Sequence, residues 1–374
     1  MSGWGTAAFP RLLGDGMIAT WKWPDSAQNL DFTGDRRGLF GMLLLPELQR
    51  QRVHLLRFAE EGPADYAALS LTQLQELPGL ADRLDSQPRR SAEPAWWWRG
   101  SPPSDRGLRR TLPDGGRLSV SPSADKLWSW QLRDAQGVEL DSGTFATEHA
   151  TEIHDAILTP HQLLVVATDY TSVSTAHDIS PTHRAGIAAR RPRARLHWLH
   201  ADPVKRLALE HAHEERALVC ADLSFPDPGA RRSLRLVRWT IDPRTLDYNP
   251  EDLYPRGLLA FELEPARGEG GWRHLFGVTA DLGDEIPSLI RLDRASRRSR
   301  ARSFSFAREP SAPLWIGAPS GGACLIVCVY DAVRDSSEVL LLDPERIEAP
   351  PLASIELPDA VRCDERPRFI STSI

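Results

Sequence analysis

The sequence predicts an all-β fold of the propeller, large-barrel or large-sandwich kind. Short runs of apolar and β-branched residues recur along the whole 374-residue chain, and Gly, Pro, Asp and Asn separate them. Convincing amphipathic helices are few. Short strands spread over the full length are typical of propellers, barrels and sandwiches, so we expect one large all-β domain over residues 1–374.

The individual elements follow from local patterns. One helical pattern covers 69–84, and Pro78 divides it because proline interrupts a helix. Turns are predicted at 112–116 and 133–137, where Asp and Gly tolerate tight or positive-φ geometry. The five clearest predicted strands are 163–170, 217–225, 234–241, 324–332 and 338–343.

The segment 85–110 predicts a long loop or linker within the domain, because it is rich in Pro, Ser and Arg. It contains three consecutive tryptophans, Trp96, Trp97 and Trp98. Three neighbouring indoles cannot all face one core, so at least one is exposed or covers another surface. Packing against the flank of the domain is the favoured interpretation, and a binding surface is the alternative.

Composition excludes several classes of function. The formal net charge of -6 argues against a general binder of nucleic acids or anionic membranes. No run approaches the roughly 20 apolar residues of a membrane span, and the N-terminal segment lacks the layout of a secretory signal. We therefore expect a cytoplasmic protein. Arginine supplies nearly all the positive charge, since the lysines are Lys22, Lys126 and Lys205, and this bias suggests a GC-rich bacterial genome.

Known chemical motifs are absent from the sequence. No GxGxxG, Walker, HExxH or GxSxG string occurs. The four cysteines form no CxxC pair and are predicted to be buried free thiols. The arginine clusters at 190–195 and 297–302 are predicted to be solvated loops, and binding of an acidic or phosphorylated partner is the alternative.

Several strings, distributed along the chain, together resemble one protein family. They are GDGM at 14–17, LLRFAEEGPADYAALSLTQLQEL at 55–77, EIHD at 152–155, DP at 202–203 with EE at 214–215, RHLFG at 273–277 and VYDAVRDSSEVLLLD at 329–343. Over about residues 12–366 the chain thereby resembles the carotenoid cleavage oxygenases. The resemblance implies a seven-bladed β-propeller with a non-haem ferrous iron on its central axis.

The resemblance also implies where the iron ligands should lie. The family holds its iron with four histidines from different blades, and the matching positions here hold Ser121, His154, Ala208 and Arg366. No histidine lies between His54 and His149, and none follows His274. One imidazole binds iron too weakly, and a guanidinium would repel the cation. We therefore expect neither metal nor other cofactor, and no iron-dependent cleavage.

The family places glutamates behind its histidines, and the matching positions are Glu61, Glu262 and Glu338, with Glu264 as a competitor for Glu262. Without imidazole N–H groups these carboxylates need new partners such as arginine or water, or must face solvent. For Glu338, the equal alternative is an ordinary strand residue.

One alternative hypothesis is that the protein is an enzyme. His211 and His213 stand two residues apart and would face the same side of a strand, so they could form a different metal site with His154. That site would make the protein an oxygenase with a rebuilt centre. The other enzymatic hypothesis is a metal-free catalyst that uses the central cleft implied by the resemblance.

The favoured hypothesis is a pseudoenzyme. The chain begins almost at the GDGM turn, which predicts an incomplete closing blade with exposed strand edges. We expect a metal-free accessory protein that binds an extended ligand, a peptide substrate or an apolar chain, in the vestigial central cleft. Its setting would be a bacterial specialised-metabolite (natural product) pathway, with an enzyme of that pathway as a further partner.

Overall fold

A computed structural model of the chain describes residues 41–59, 62–75, 108–112, 116–124, 126–147, 151–172, 179–191, 193–199, 208–226, 233–254, 256–265, 272–279, 286–317, 323–363 and 366–371. Several predicted features lie outside these residues. They are the string at 14–17, Glu61, the helical pattern beyond 75, the three tryptophans at 96–98 and the DP string at 202–203.

Strands dominate the described residues. The first thirteen are Gly41–Glu47 (β1), Arg52–Ala59 (β2), Gly62–Ser70 (β3), Leu108–Thr111 (β4), Arg117–Ala124 (β5), Leu127–Arg133 (β6), Glu139–Ala146 (β7), Thr151–Leu158 (β8), Gln162–Ser172 (β9), Ile179–Ala189 (β10), Ala194–Arg195 (β11), His197–Trp198 (β12) and Ala208–Glu215 (β13). The remaining thirteen are Leu218–Pro226 (β14), Leu234–Ile241 (β15), Tyr248–Asp252 (β16), Leu258–Pro265 (β17), Trp272–Thr279 (β18), Ser288–Asp293 (β19), Ser299–Ser303 (β20), Arg308–Pro310 (β21), Leu314–Gly317 (β22), Ala323–Asp331 (β23), Ser336–Leu342 (β24), Ala353–Glu356 (β25) and Arg368–Ser371 (β26).

Mostly antiparallel pairing groups the described strands into six blades, and β11 joins β7 in parallel. The first blade has the order β26-β1-β2-β3, the second β11-β7-β6-β5-β4 and the third β12-β10-β9-β8. One eight-stranded sheet contains the fourth blade (β13 to β16) and the fifth (β17 to β20), joined by the pair Leu234 and Leu258. The sixth blade holds β21 to β25.

The two ends of the described chain meet in the first blade. Strand β26 pairs antiparallel with β1, and Phe369 lies opposite Leu43. The rings of Phe369 and Phe58 lie 6.1 Å apart in an edge-to-face arrangement. This sheet has four strands in the described part of the chain, and it joins the C-terminal segment to the N-terminal one.

Separate hydrophobic cores lie between successive blades. Among the described residues, five cores join the second blade to the third, the third to the fourth, the fourth to the fifth, the fifth to the sixth and the sixth to the first. Strand β23 explains this layering: Leu325 and Val327 face the fifth blade, whereas Ile326 and Cys328 face the first. Both faces are covered, so the strand is continuously apolar rather than alternating. The blades therefore stack around a ring, as in a propeller.

The predicted elements agree with these strands, apart from two boundaries. The strand predicted at 234–241 is β15, and the other four clear predictions fall within one or two residues of β9, β14, β23 and β24. The predicted helix begins later than 69: Leu69 and Ser70 belong to β3, and the described helix α1 covers Leu71–Gln75. Strand β4 occupies the last three residues of the predicted loop at 85–110.

Local hydrogen bonds explain where helix α1 begins. The Ser70 hydroxyl accepts a hydrogen bond from the Gln73 backbone N–H at 3.2 Å, and the Gln73 side-chain oxygen accepts one from the Ser70 N–H at 2.9 Å. This reciprocal pair is a capping box, which fixes Ser70 as the residue before the helix.

The cysteine prediction is confirmed for three of four residues. Cys220, Cys324 and Cys328 are free and buried, and Cys363 is free and partly exposed. Within the described residues, no helix has the length and apolar character that crossing a membrane requires.

Candidate functional site

The four positions that the resemblance assigns to iron lie on different parts of the ring. Ser121 is on β5 of the second blade, His154 on β8 of the third and Ala208 at the start of β13 of the fourth. Arg366 precedes β26 of the first blade. The structure therefore assigns each position to a separate blade, as the resemblance implied.

Arg366 makes an ion pair with the predicted glutamate Glu262. The Arg366 guanidinium lies 3.3 Å from the Glu262 carboxylate and also donates a hydrogen bond to the backbone carbonyl of Phe261, both on β17. The side chains are 16% and 8% exposed. The first and fifth blades are not neighbours, since the sixth lies between them, so this contact crosses the inner side of the ring. A guanidinium at the position that the resemblance assigns to the fourth ligand thus neutralises the Glu262 carboxylate.

Glu338 also has an arginine as its ion-pair partner. Its carboxylate forms an ion pair with Arg308 and accepts a hydrogen bond from the Ser354 hydroxyl. Strand β24 carries Glu338 with its side chain about one quarter exposed. Two of the three predicted glutamates therefore have cationic partners, as expected for carboxylates without imidazole N–H groups, while Glu61 lies outside the described residues.

His154 occupies an irregular position in its strand. The pairing of β8 with β9 shifts between Ile153 and Asp155, which makes His154 the extra residue of a β-bulge. Its side chain is exposed, and its Nε2 lies 2.5 Å from the Thr168 hydroxyl. Ser121, on the next blade, shares a 3.2 Å hydroxyl contact with Ser129. Protein hydroxyls therefore contact the polar side chains at both positions.

A second arginine–carboxylate pair, which sequence reasoning missed, crosses the inner side of the ring. Arg110 on β4 donates to the Asp155 carboxylate at 2.9 Å and to the Leu209 carbonyl at 3.2 Å, while the Leu209 N–H donates to Asp155 at 3.0 Å. These contacts connect the second, third and fourth blades. They place Asp155 and Leu209, the neighbours of His154 and Ala208, side by side on adjacent inner strands. The available signal was Asp155 itself, within the string EIHD.

The structure brings together part of the alternative histidine site. The rings of His211 and His213 lie 5.4 Å apart on one face of β13, as predicted from their spacing. Burial lowers the pKa of His211 to about 4, so its ring is neutral at pH 7. Within the described residues, ligand atoms of His154, His211 and His213 do not come within 4.8 Å of one another as a group.

A buried ionic cluster beside these histidines was also missed. Asp222 has no exposed surface and accepts two hydrogen bonds from Arg238, at 2.7 and 2.8 Å. The Trp272 indole N–H of the fifth blade donates to the same carboxylate at 2.7 Å. The signal was the single acid of β14 followed by Arg238 in the next, largely apolar strand, because such residues remain buried only when paired.

A groove of about 920 Å³ lies elsewhere, between the fourth and fifth blades. Its lining includes Leu253, Tyr254, Arg256, Ile290 and Ser299, and none of the predicted site residues. The inner side of the ring and this groove are therefore separate features of the described chain.

The residues present do not fit the iron of the family. Of the four ligand positions, only His154 offers an imidazole; Ala208 offers no donor, and Arg366 is a cation already bonded to Glu262. Ferrous iron in such a site needs several neutral nitrogen or carboxylate donors with open positions. The residues at the four assigned positions supply one such donor, the imidazole of His154.

The ring of blades with cores between neighbouring sheets defines an all-β protein of the propeller-like class, which confirms the predicted fold class. Solved structures agree. A variant of the Synechocystis apocarotenoid oxygenase is 13% identical, with a TM-score of 0.64 and 100% of both chains covered. The Pseudomonas brassicacearum lignostilbene dioxygenase is 13% identical, with a TM-score of 0.62 over 95% of this chain and 94% of that one. At this identity the likeness establishes the fold.

A family model described as retinal pigment epithelial membrane protein matches residues 119–364, more than half of the chain. The chain belongs to the carotenoid cleavage oxygenase family, and the predicted family is confirmed. No curated protein matches the chain significantly.

Proposed function

We propose that this protein is a non-catalytic member of its family that binds an extended ligand without using iron. The observation that carries the proposal is the ion pair of Arg366 with Glu262 on the inner side of the ring. A divalent cation at the fourth ligand position would stand beside a fixed guanidinium, and two cations at such a distance repel strongly in a partly buried site. The arginine therefore disfavours the iron that the family reaction requires.

The ligand we propose is a peptide substrate or an apolar chain. The names of two similar structures, apocarotenoid oxygenase and lignostilbene dioxygenase, refer to elongated molecules, and the same scaffold supports an elongated ligand here. The protein would act as an accessory factor in a bacterial specialised-metabolite pathway, delivering its ligand to an enzyme of that pathway. This setting rests on fold-level analogy.

Iron content tests the first half of the proposal. Protein purified from iron-supplemented cells should contain far less than one iron per chain, and His154→Ala should change nothing. The matched control is the triple variant Ser121→His, Ala208→His and Arg366→His, which restores imidazoles at all four positions and should gain iron. Stoichiometric iron in the native protein that is lost in His154→Ala would overturn the proposal and favour an enzyme.

Calorimetry tests the second half. Peptides encoded by neighbouring genes, and isoprenoid chains in detergent below its micelle concentration, are titrated into the native protein. Saturable 1:1 binding that persists with an iron chelator is the expected result. Absence of saturable binding to every probe would overturn the binding function while leaving the iron result intact.

A further inference from the structure

We propose that the hairpin of β13 and β14 carries a binding site for a zinc-like divalent cation, formed by His213, Glu215 and Cys220. The site belongs to the fourth blade and is separate from the axial positions of the family iron. It concerns a different metal and a different place, so it is independent of the proposed ligand-binding function.

Hairpin geometry brings the three side chains together. His213 and Glu215 are two residues apart on β13, so both side chains leave the same face of the sheet. Cys220 of β14 is the direct cross-strand partner of His213. The connecting residues Arg216 and Ala217 have φ values of 51° and 67°, which closes the hairpin tightly. As a result, one ligand atom from each of the three side chains lies within 4.8 Å of the others.

The donor chemistry suits a borderline-soft cation. A thiolate, an imidazole and a carboxylate are the three side-chain types that bind Zn²⁺, with bonds of about 2.0 to 2.3 Å. Donors around a tetrahedral ion are then about 3 to 4 Å apart, so small side-chain rotations would suffice. Glu215 is exposed and free to rotate at the surface, whereas His213 and Cys220 are buried. Three protein ligands leave a fourth position for water.

An unsatisfied nitrogen provides a second, independent observation. The Nδ1 atom of His213 is buried and has no hydrogen-bond partner. Only 7% of the residue is exposed. A buried polar atom without a partner destabilises a fold by about 1 to 3 kcal/mol. A metal ion bonded to this nitrogen would remove that cost.

Arg294 is the competitor of the metal. Its guanidinium lies 3.1 Å from Nε2 of His213, and arginine only donates hydrogen bonds, so this nitrogen accepts and the ring proton sits on Nδ1. A ring that binds metal through Nδ1 carries its proton on Nε2 instead. Metal binding therefore requires Arg294 to release His213 and to move away from the bound cation. At present its guanidinium also lies over the Trp272 ring, 5.9 Å from the centroid.

Cobalt reports on the site because Co²⁺ replaces zinc and absorbs visibly when bound to a thiolate. Purified full-length protein, stripped of metal, is titrated with Co²⁺ and then with Zn²⁺. We expect one Co²⁺ per chain with a thiolate-to-cobalt absorption in the near ultraviolet, which Zn²⁺ abolishes by displacement. Cys220→Ser and His213→Gln should lose this absorption, and Arg294→Met should bind Co²⁺ more tightly.

Two controls keep the test specific. His211→Gln removes the neighbouring imidazole on the same face and should retain the absorption, and Cys363→Ser removes the partly exposed thiol and should retain it as well. Circular dichroism and the unfolding temperature establish that each variant is folded. Absence of the absorption in the native protein, or its persistence in folded Cys220→Ser, would overturn the site, and neither outcome bears on the iron content or on ligand binding.

Discussion

At the scale of single residues, a fully buried carboxylate anchors the layer between the fourth and fifth blades. Asp222 accepts hydrogen bonds from Arg238 and Trp272. Removing one partner of a buried ion pair leaves the other charge uncompensated, which costs about 3 to 5 kcal/mol. Asp222→Ala should therefore lower the free energy of unfolding by about that amount, measured by urea denaturation.

The same strands offer a matched control for this prediction. Arg235 and Asp252 form an equally close pair, at 2.7 and 2.8 Å, but both side chains are more than 40% exposed. Water and salt screen such a pair, so Asp252→Ala should cost at most about 1 kcal/mol. Equal losses for the two variants would contradict the prediction that burial sets the difference.

Burial also decides which thiols react. It raises the pKa of both Cys324 and Cys328 to about 12, because the interior disfavours a thiolate. Native protein at pH 8 should be alkylated by iodoacetamide fastest at Cys363, which is partly exposed, and should leave Cys324 and Cys328 unmodified. Mass spectrometry of tryptic peptides provides the measurement, and alkylation of Cys324 at the rate of Cys363 would refute it.

At the scale of elements, the four residues of β26 join the two ends of the described chain. Without them, β1 loses one of its two partner strands and the side of Phe58 that packs on Phe369 becomes exposed. A chain that stops after Arg366 should therefore lose about 3 kcal/mol or more of its free energy of unfolding. Its unfolding temperature should be several degrees lower than that of the full chain.

Differential scanning calorimetry measures this effect. The control is a chain that stops after Ser371, which keeps all of β26 and should unfold as the full chain does. Equal unfolding temperatures for the two truncations would mean that β26 does not hold the ends together.

Strands buried on both faces were predictable from the sequence, and short surface strands were not. Strands β15 and β23 lie between two cores, so apolar residues predominate in both and the runs stand out. Strand β20, SRARS, carries little apolar pattern, and it is a strand because β19 supplies its hydrogen bonds. Pairing with a neighbour is a tertiary property that composition does not encode.

At the scale of the whole molecule, three arginines of the two arginine-rich segments have acidic partners. Arg297 pairs with Glu251 at 2.8 Å, Arg300 with Glu348 at 2.5 Å, and Arg190 with Asp141 at 2.6 Å. Together with the net charge of -6, these pairs predict no retention on heparin above about 0.15 M salt, where the screening length is about 8 Å.

Charge reversal provides the comparison for heparin binding. Glu251→Lys and Glu348→Lys together would release Arg297 and Arg300 and add positive charge beside them, so this double variant should elute at higher salt. Strong retention of the native protein, or unchanged elution of the double variant, would contradict the view that these arginines are neutralised by their neighbours.

The sequence by itself determined the all-β class and the family, and it predicted which residues stand at the iron positions. These properties lie in strings and periodicities that can be read along the chain. The tertiary structure decided which arginine pairs with each carboxylate: Arg366 with Glu262, Arg308 with Glu338 and Arg110 with Asp155. A buried charge needs a counter-charge in space, and folding brings together residues that lie 30 to 104 positions apart in sequence. Arg308 and Glu338 meet within the sixth blade, whereas the other two pairs join different blades.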